Sequence, residues 1–213
     1  MKKVFFSLAM LFVAGLTFAQ VKNVKDARAI ANEMKPDFAK AEELINAALV
    51  NPETKDDAET WNVAGLIQKK RSEKEMEKAY LRKPYDTVQV YKSALEMCKF
   101  FIKCDELAQQ PNEKGKIKNK YRKPNGSAIM AERGNLINGG IYYYNQNNNK
   151  EALSYFGMYV DVAENPMLAD QNLLKTDTVL PQIAYYASLA ANNVEDFASV
   201  KKYATFAKDD KEF

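Results

Sequence analysis

The stretch "GGIYYYNQNNNKEALSYF", Gly139 to Phe156, sets three consecutive tyrosines against a run of five amide side chains. Successive helical residues turn by about 100°, so the tyrosines fan over roughly 200° of a helix surface and cannot share one face. At least one belongs to a core. Tyr143 fits that place, with Tyr142 near a seam between helix pairs and Tyr144 as the candidate for a binding groove. The amide run, Asn145 to Asn149, is too short for a low-complexity segment. It stands where a helix must end, and Asn accepts the left-handed backbone that a helix C-terminus wants. The stretch is thus helix, turn, helix.

Working outward, proline and Asn/Gly punctuation divides the chain into segments whose apolar residues recur at spacings of three and four, with little strict alternation. The expected class is all-α. Helices are expected over 24–34, 37–51, 57–81, about 86–110, 127–144, 150–164, 177–191 and 194–208. Asp37 and either Asp86 or Thr87 supply N-caps, and a proline disfavours helical geometry in the residue before it, as at Lys35-Pro36. Leu44, Ala47 and Ala48 are expected on the inner face of the second helix, and Val90, Ala94, Met97, Phe101 and Cys104 on that of the fourth. The run "KKRSEKEMEKAYLRK" reads as a solvated helix face. Residues of about 110–126 read as a basic loop, and those before Thr176 as a second loop.

Eight helices make about four pairs. Counting Arg133 as position one puts Gly140 eighth, Tyr143 eleventh, Ala152 twentieth and Phe156 twenty-fourth, with Pro166 closing the unit. This spacing resembles the tetratricopeptide repeat (TPR), a helix-turn-helix unit of about 34 residues. Small residues at the eighth and twentieth positions let helices approach, and aromatics fill the adjoining space. Trp61 and Gly65 stand at the fourth and eighth positions of an earlier unit. Ala41, Ala48 and Pro52 mark the first, and Ala187, Ala198 and Tyr203 the last if its turn is one residue short. The pattern is similar to secreted tetratricopeptide proteins of Bacteroidetes type. The resemblance implies a right-handed α-solenoid of about four helix pairs, whose concave groove is lined by the first helix of each pair. It selects Asn62, Leu66, Lys69 and Lys70 in one unit, Ile137, Ile141, Tyr144 and Asn145 in another, and Tyr186 in the last. Trp61, Gly65, Gly140, Tyr143, Ala152 and Phe156 are its structural positions.

Residues 1–19 pair Lys2 and Lys3 with an apolar run from Val4 to Leu16 and a small-residue approach ending at Ala19, the pattern of a secretory signal peptide. Cleavage there leaves Gln20 first, without the cysteine that a lipid anchor needs. A periplasmic or secreted protein, not inserted in a membrane in its mature form, is the expectation. The remaining segment, 20–213, reads as one helical repeat domain. Removing the leader takes two lysines from 31 basic residues and nothing from 28 acidic ones, so little net charge is left to draw nucleic acid. The basic loop carries Lys114, Lys116, Lys118, Lys120, Arg122 and Lys123 and reads as solvated.

The sequence has no histidine, which excludes His-based triads and histidine metal sites. Cys98 and Cys104, six positions apart on one helix, stand about 9 Å apart along its axis, beyond disulfide reach. No phosphate loop, calcium loop or zinc spacing is present. No enzymatic activity and no cofactor are expected. The expected function is an exported module that binds a protein or peptide partner in the groove; the alternative is a glycan-binding helical repeat supporting carbohydrate uptake, with tyrosines stacking on sugars. A capping surface for the last pair is expected from a polar final helix, a longer chain or a second copy in a homodimer.

Overall fold

A computed structural model describes residues 21–111, 114–117 and 119–207, and everything regular among them is helical. Residues 21–31 form α1. The chain continues through α2 (Phe38–Val50), α3 (Ala58–Tyr80), α4 (Thr87–Ala108), α5 (Arg122–Tyr144) and α6 (Asn149–Asp161). A 3-10 turn (Pro166–Gln171) and the short α7 (Leu173–Thr176) precede α8 (Leu180–Asn193) and α9 (Phe197–Ala207). The expected leader 1–19 and its expected cleavage point, Lys118 and the end of the chain lie outside the described residues.

Short polar side chains fix where the helices begin. Asp37 accepts the Lys40 N–H at 3.0 Å, Asp86 that of Gln89 at 2.9 Å, Asn148 that of Glu151 at 3.3 Å and Asp196 that of Ser199 at 3.1 Å. Each satisfies a first-turn donor that has no partner within its helix. Three helix ends share another device. Arg82, Asn147 and Glu195 have φ of 56°, 58° and 59°. The following N–H groups, of Lys83, Asn148 and Asp196, reach back to the carbonyls of Lys78, Tyr143 and Ala191 at 2.9, 3.0 and 3.0 Å. This is the Schellman closure, and the amide run does form the turn expected of it.

Four expectations need correction. Helix α5 begins at Arg122 and not at Ser127, so the basic loop ends before residue 126. Pro124 lies in the first turn, where its missing N–H costs no helical bond. Gly126 is buried because its backbone presses on Met167: a Cβ there would stand 2.6 Å from the Met167 carbonyl oxygen. The loop before Thr176 holds the 3-10 turn and α7, anchored by buried Met167, Leu168 and Leu173. On α2 the buried residues are Ala41, Ile45 and Ala48, while Ala47 is exposed. Ala198 is exposed too, so it is not the small contact of the last pair.

The chain divides into two compact units, the described part of Met1–Arg71 with Phe100–Tyr121, and Ser72–Lys99 with the described part of Arg122–Phe213. In the first, Val24, Ala27 and Ala31 of α1, Ala41, Ile45 and Ala48 of α2, and Val63, Ala64 and Ile67 of α3 make one apolar core. Trp61 lies at its margin, donating from Nε1 to the Lys55 carbonyl at 2.6 Å with its ring 6.1 Å from Phe100. Gly65 packs flat against the Phe101 ring. In the second unit the helices pack in chain order, α5 on α6, α6 on α8 and α8 on α9. Buried Val90, Ala94 and Met97 of α4 belong to this unit, as expected from their spacing, while Phe101 and Cys104, also buried, belong to the first.

Candidate functional site

Helix α5 separates its residues by face. Ile129, Arg133, Leu136, Gly139 and Gly140 are buried, whereas Ala131, Gly134, Asn138, Ile141, Tyr142 and Asn145 are exposed. The exposed set recurs at three and four, which is one stripe along the helix, and none of it is charged. Ile137 and Tyr144 are half-buried along its edge. Ile137, Ile141, Tyr144 and Asn145 therefore fall within about 100° of the helix circumference.

The C-terminal end of that stripe rests on two paired glycine-to-ring contacts. A Cβ on Gly139 would lie 2.5 Å from the Tyr155 ring of α6 and 3.1 Å from the Tyr91 Cβ of α4. A Cβ on Gly140 would lie 2.8 Å from Phe156 Cζ and closer still to its neighbouring carbons. Gly140 thus meets the Phe156 ring. Bare backbone at both positions is what lets α6 lie so near.

Tyrosines continue the packing outward from these rings. Tyr143 stacks on Tyr155 at 5.4 Å and 27°, and Tyr142 meets Tyr143 edge-on at 5.1 Å and Tyr91 at 6.1 Å. On the other side, Tyr144 lies 6.4 Å from Phe156 and 6.0 Å from Tyr186 of α8, which itself meets Phe156 at 5.8 Å and Tyr185 at 5.8 Å. Offset and edge-on ring pairs of this kind hold their members in place. The fan is therefore real, but Tyr143 is half-buried over Tyr155 and not enclosed in a core. Burial raises the phenols of Tyr91 and Tyr143 above their ordinary value.

Beneath the same helix lies a charged cluster that linear spacing does not reveal. Buried Arg133 pairs through NH1 with Asp177, donates from NH2 to the Tyr159 carbonyl at 3.1 Å and stacks its guanidinium 3.6 Å over the Tyr159 ring. The Tyr159 hydroxyl donates to the same Asp177 carboxylate at 2.8 Å. Burial pushes this phenol well up, against the pull of Arg133. With its charges matched inside, the cluster joins α5, α6 and the start of α8 and has the character of a structural tie.

Asn62, Leu66, Lys69 and Lys70 lie half-buried along one face of α3, in the first unit. Ile137, Ile141, Tyr144, Asn145 and Tyr186 belong to the second. Of these, the structure joins Tyr144 directly to Tyr186. Tyr91, Tyr155 and Tyr185 were not selected by the repeat spacing, although the adjacent aromatic pairs Tyr155-Phe156 and Tyr185-Tyr186 are visible signals. Among the described residues no group of His, Cys, Asp and Glu is arranged to hold a metal ion. Cys98 and Cys104 are buried free thiols, and burial pushes the Cys98 thiol up to about 12, so it is a poor nucleophile. A shallow depression of about 510 Å³ opens where α3 meets α4, lined by residues including Glu75, Lys78, Tyr85 and Asp86. No described helix is long and apolar enough to cross a membrane. No family model, curated protein or solved structure matches the chain.

Proposed function

We propose that this chain is an exported helical-repeat protein of tetratricopeptide type, and that it binds a protein or peptide segment along the outer stripe of α5. The observation that carries the reading is the end of that stripe. Ile141 and Tyr142 are 47% and 38% exposed on an uncharged face, beside a Tyr144 ring that Phe156 and Tyr186 hold still. A pre-positioned apolar edge flanked by Asn138 and Asn145 offers side-chain contacts and hydrogen bonds without paying for loop ordering. Sequential packing of α5, α6, α8 and α9, and the glycine-to-ring contacts, suit a repeat architecture. Engagement of the tyrosine rings with one another favours a protein partner over sugars, which need open ring faces.

Two measurements test this. The mass of the protein recovered from the cell envelope or medium is expected to match a chain starting at Gln20; retention of residues 1–19 in the cytoplasm counts against export. Affinity capture from the same fraction, in parallel with a glycan array, is expected to return a defined protein that Ile141→Asp with Tyr144→Ala releases. Glycan binding, or capture indifferent to both substitutions, overturns the assignment.

A further inference from the structure

The exposed stripe of α5 changes size along its length. Within it, Ser127, Ala131, Gly134, Asn138, Ile141 and Asn145 are all exposed and follow one another at alternating spacings of four and three. A repeat of this kind is the seam along which one helix packs on another at a small crossing angle. The N-terminal half of the seam is small and the C-terminal half bulkier. Outside Gly134 the space is open, since a Cβ there would meet nothing within 4 Å, whereas Ile141 keeps 47% of its surface in water.

That gradient complements its own reverse. Ala131 and Ile141, Gly134 and Asn138, and Ser127 and Asn145 are each symmetric about Leu136. A two-fold axis at the level of Leu136 sets a second α5 antiparallel to the first and brings each small residue opposite a bulkier one. Ile141 then covers Ala131 of the second copy, and Asn138 covers its Gly134. A parallel pair would face glycine with glycine and leave a gap. Charge points the same way, because an ionised side chain near a two-fold axis meets its own kind. Between Ser127 and Asn145 the seam has none, and Met130, Asn135, Ile137, Tyr142 and Tyr144 along its borders are uncharged too. The Asn138 amide both donates and accepts, so it meets a copy of itself without conflict. Helix dipoles are opposed in this arrangement, which also favours it.

We infer that the occupant of the α5 stripe is a second copy of this chain, laid antiparallel on the same stripe. The inference rests on the reading of that stripe as a binding face and names what binds there. About 27 Å of helix, from Ser127 to Asn145, takes part on each side.

Sedimentation of the protein, purified in the form the cell accumulates, is expected to give a mass that rises toward that of two chains with concentration. Ala131→Lys and Ile141→Glu, each alone, put an unpaired charge into the seam and should weaken association by about tenfold or more. Mixed in equal amounts, the two variants should associate again, because the substituted positions of opposite charge face each other across the axis. Positions 131 and 141 of one chain stand about 15 Å apart along the helix, so this rescue cannot arise within one copy. Both residues are exposed, and far-UV circular dichroism is expected to stay unchanged. A mass of one chain at every concentration, association indifferent to the single substitutions, or no rescue in the mixture overturns the proposal. Should the mass stay that of one chain while a photoreactive residue at Ile141 captures a different protein in the cell, the second copy is overturned and the binding face stands. Absence of both signals overturns the binding face as well.

Discussion

Placing the same methyl group at two glycines of α5 should move stability in opposite directions. At Gly134 a Cβ meets nothing within 4 Å, so Gly134→Ala gains the helix propensity that glycine lacks, about 1 kcal/mol. At Gly140 the same gain is available, but the Cβ would enter the Phe156 ring. That ring is 1% exposed and held between Tyr144 and Tyr186, so it cannot swing aside. Overpacking a core costs about 1–3 kcal/mol, and a clash with a pinned ring belongs at or above the upper end. Gly140→Ala is therefore expected to destabilise by about 2 kcal/mol, roughly 3 kcal/mol from its partner substitution. In a chain of this size that is a fall in Tm of about 4–8 °C against a rise of about 2–4 °C. Thermal and urea melts followed by far-UV circular dichroism measure both, and Phe156→Leu should recover part of the loss in Gly140→Ala. Two alanine variants that are both more stable than the parent would refute the contact, and with it the reason for glycine at this place.

Four other perturbations test the packing and the helix ends. Arg133→Met and Asp177→Asn each leave a buried charge without its partner and should cost about 3–5 kcal/mol, whereas the double variant should cost clearly less than the two added together. Tyr155 has its phenol pushed far up, by burial first and then by Tyr143 and the nearby acids. The unfolded chain then loses this proton near pH 10 while the folded chain keeps it, so the contribution is intact below about pH 10 and lost above it. Urea midpoints should fall more steeply with alkaline pH in the parent than in Tyr155→Phe. The buried Cys98, with its raised thiol, should resist alkylation in the folded protein and react once urea unfolds it. Finally, Glu195 holds a left-handed conformation that favours glycine, so Glu195→Gly should stabilise by up to about 1 kcal/mol in the same melts.

Much of the helical layout was legible because its signals are local. Asp37, Asp86 and Asn148 act within three residues of themselves, and the apolar spacing of α4 marks the buried residues of a helix that serves two units. Misreadings came where tertiary contact overrides local chemistry. "RKPNGS" has the composition of a loop, yet Pro124 falls where a helix tolerates it, and Gly126 is held by Met167, 41 positions away along the chain. The tie between Arg133 and Asp177 spans 44 positions and leaves no periodic trace. In the candidate site, spacing located Tyr144 and Ile141. It could not show that Tyr186 would steady the one ring, nor that Tyr91 of α4 would lie against Tyr142. Cross-helix neighbours of this kind depend on which helices stack, and that is decided in three dimensions.

Recognition through the outer stripe of α5 is most directly tested by site-specific photocrosslinking in living cells. A photoreactive residue at Ile141 is expected to capture a discrete protein, and one at Ser154, exposed on α6, is expected to capture none. Tyr144→Ala should weaken the adduct at 141 while leaving the fold intact. No adduct at 141, or the same adduct from both positions, would contradict partner binding on this face.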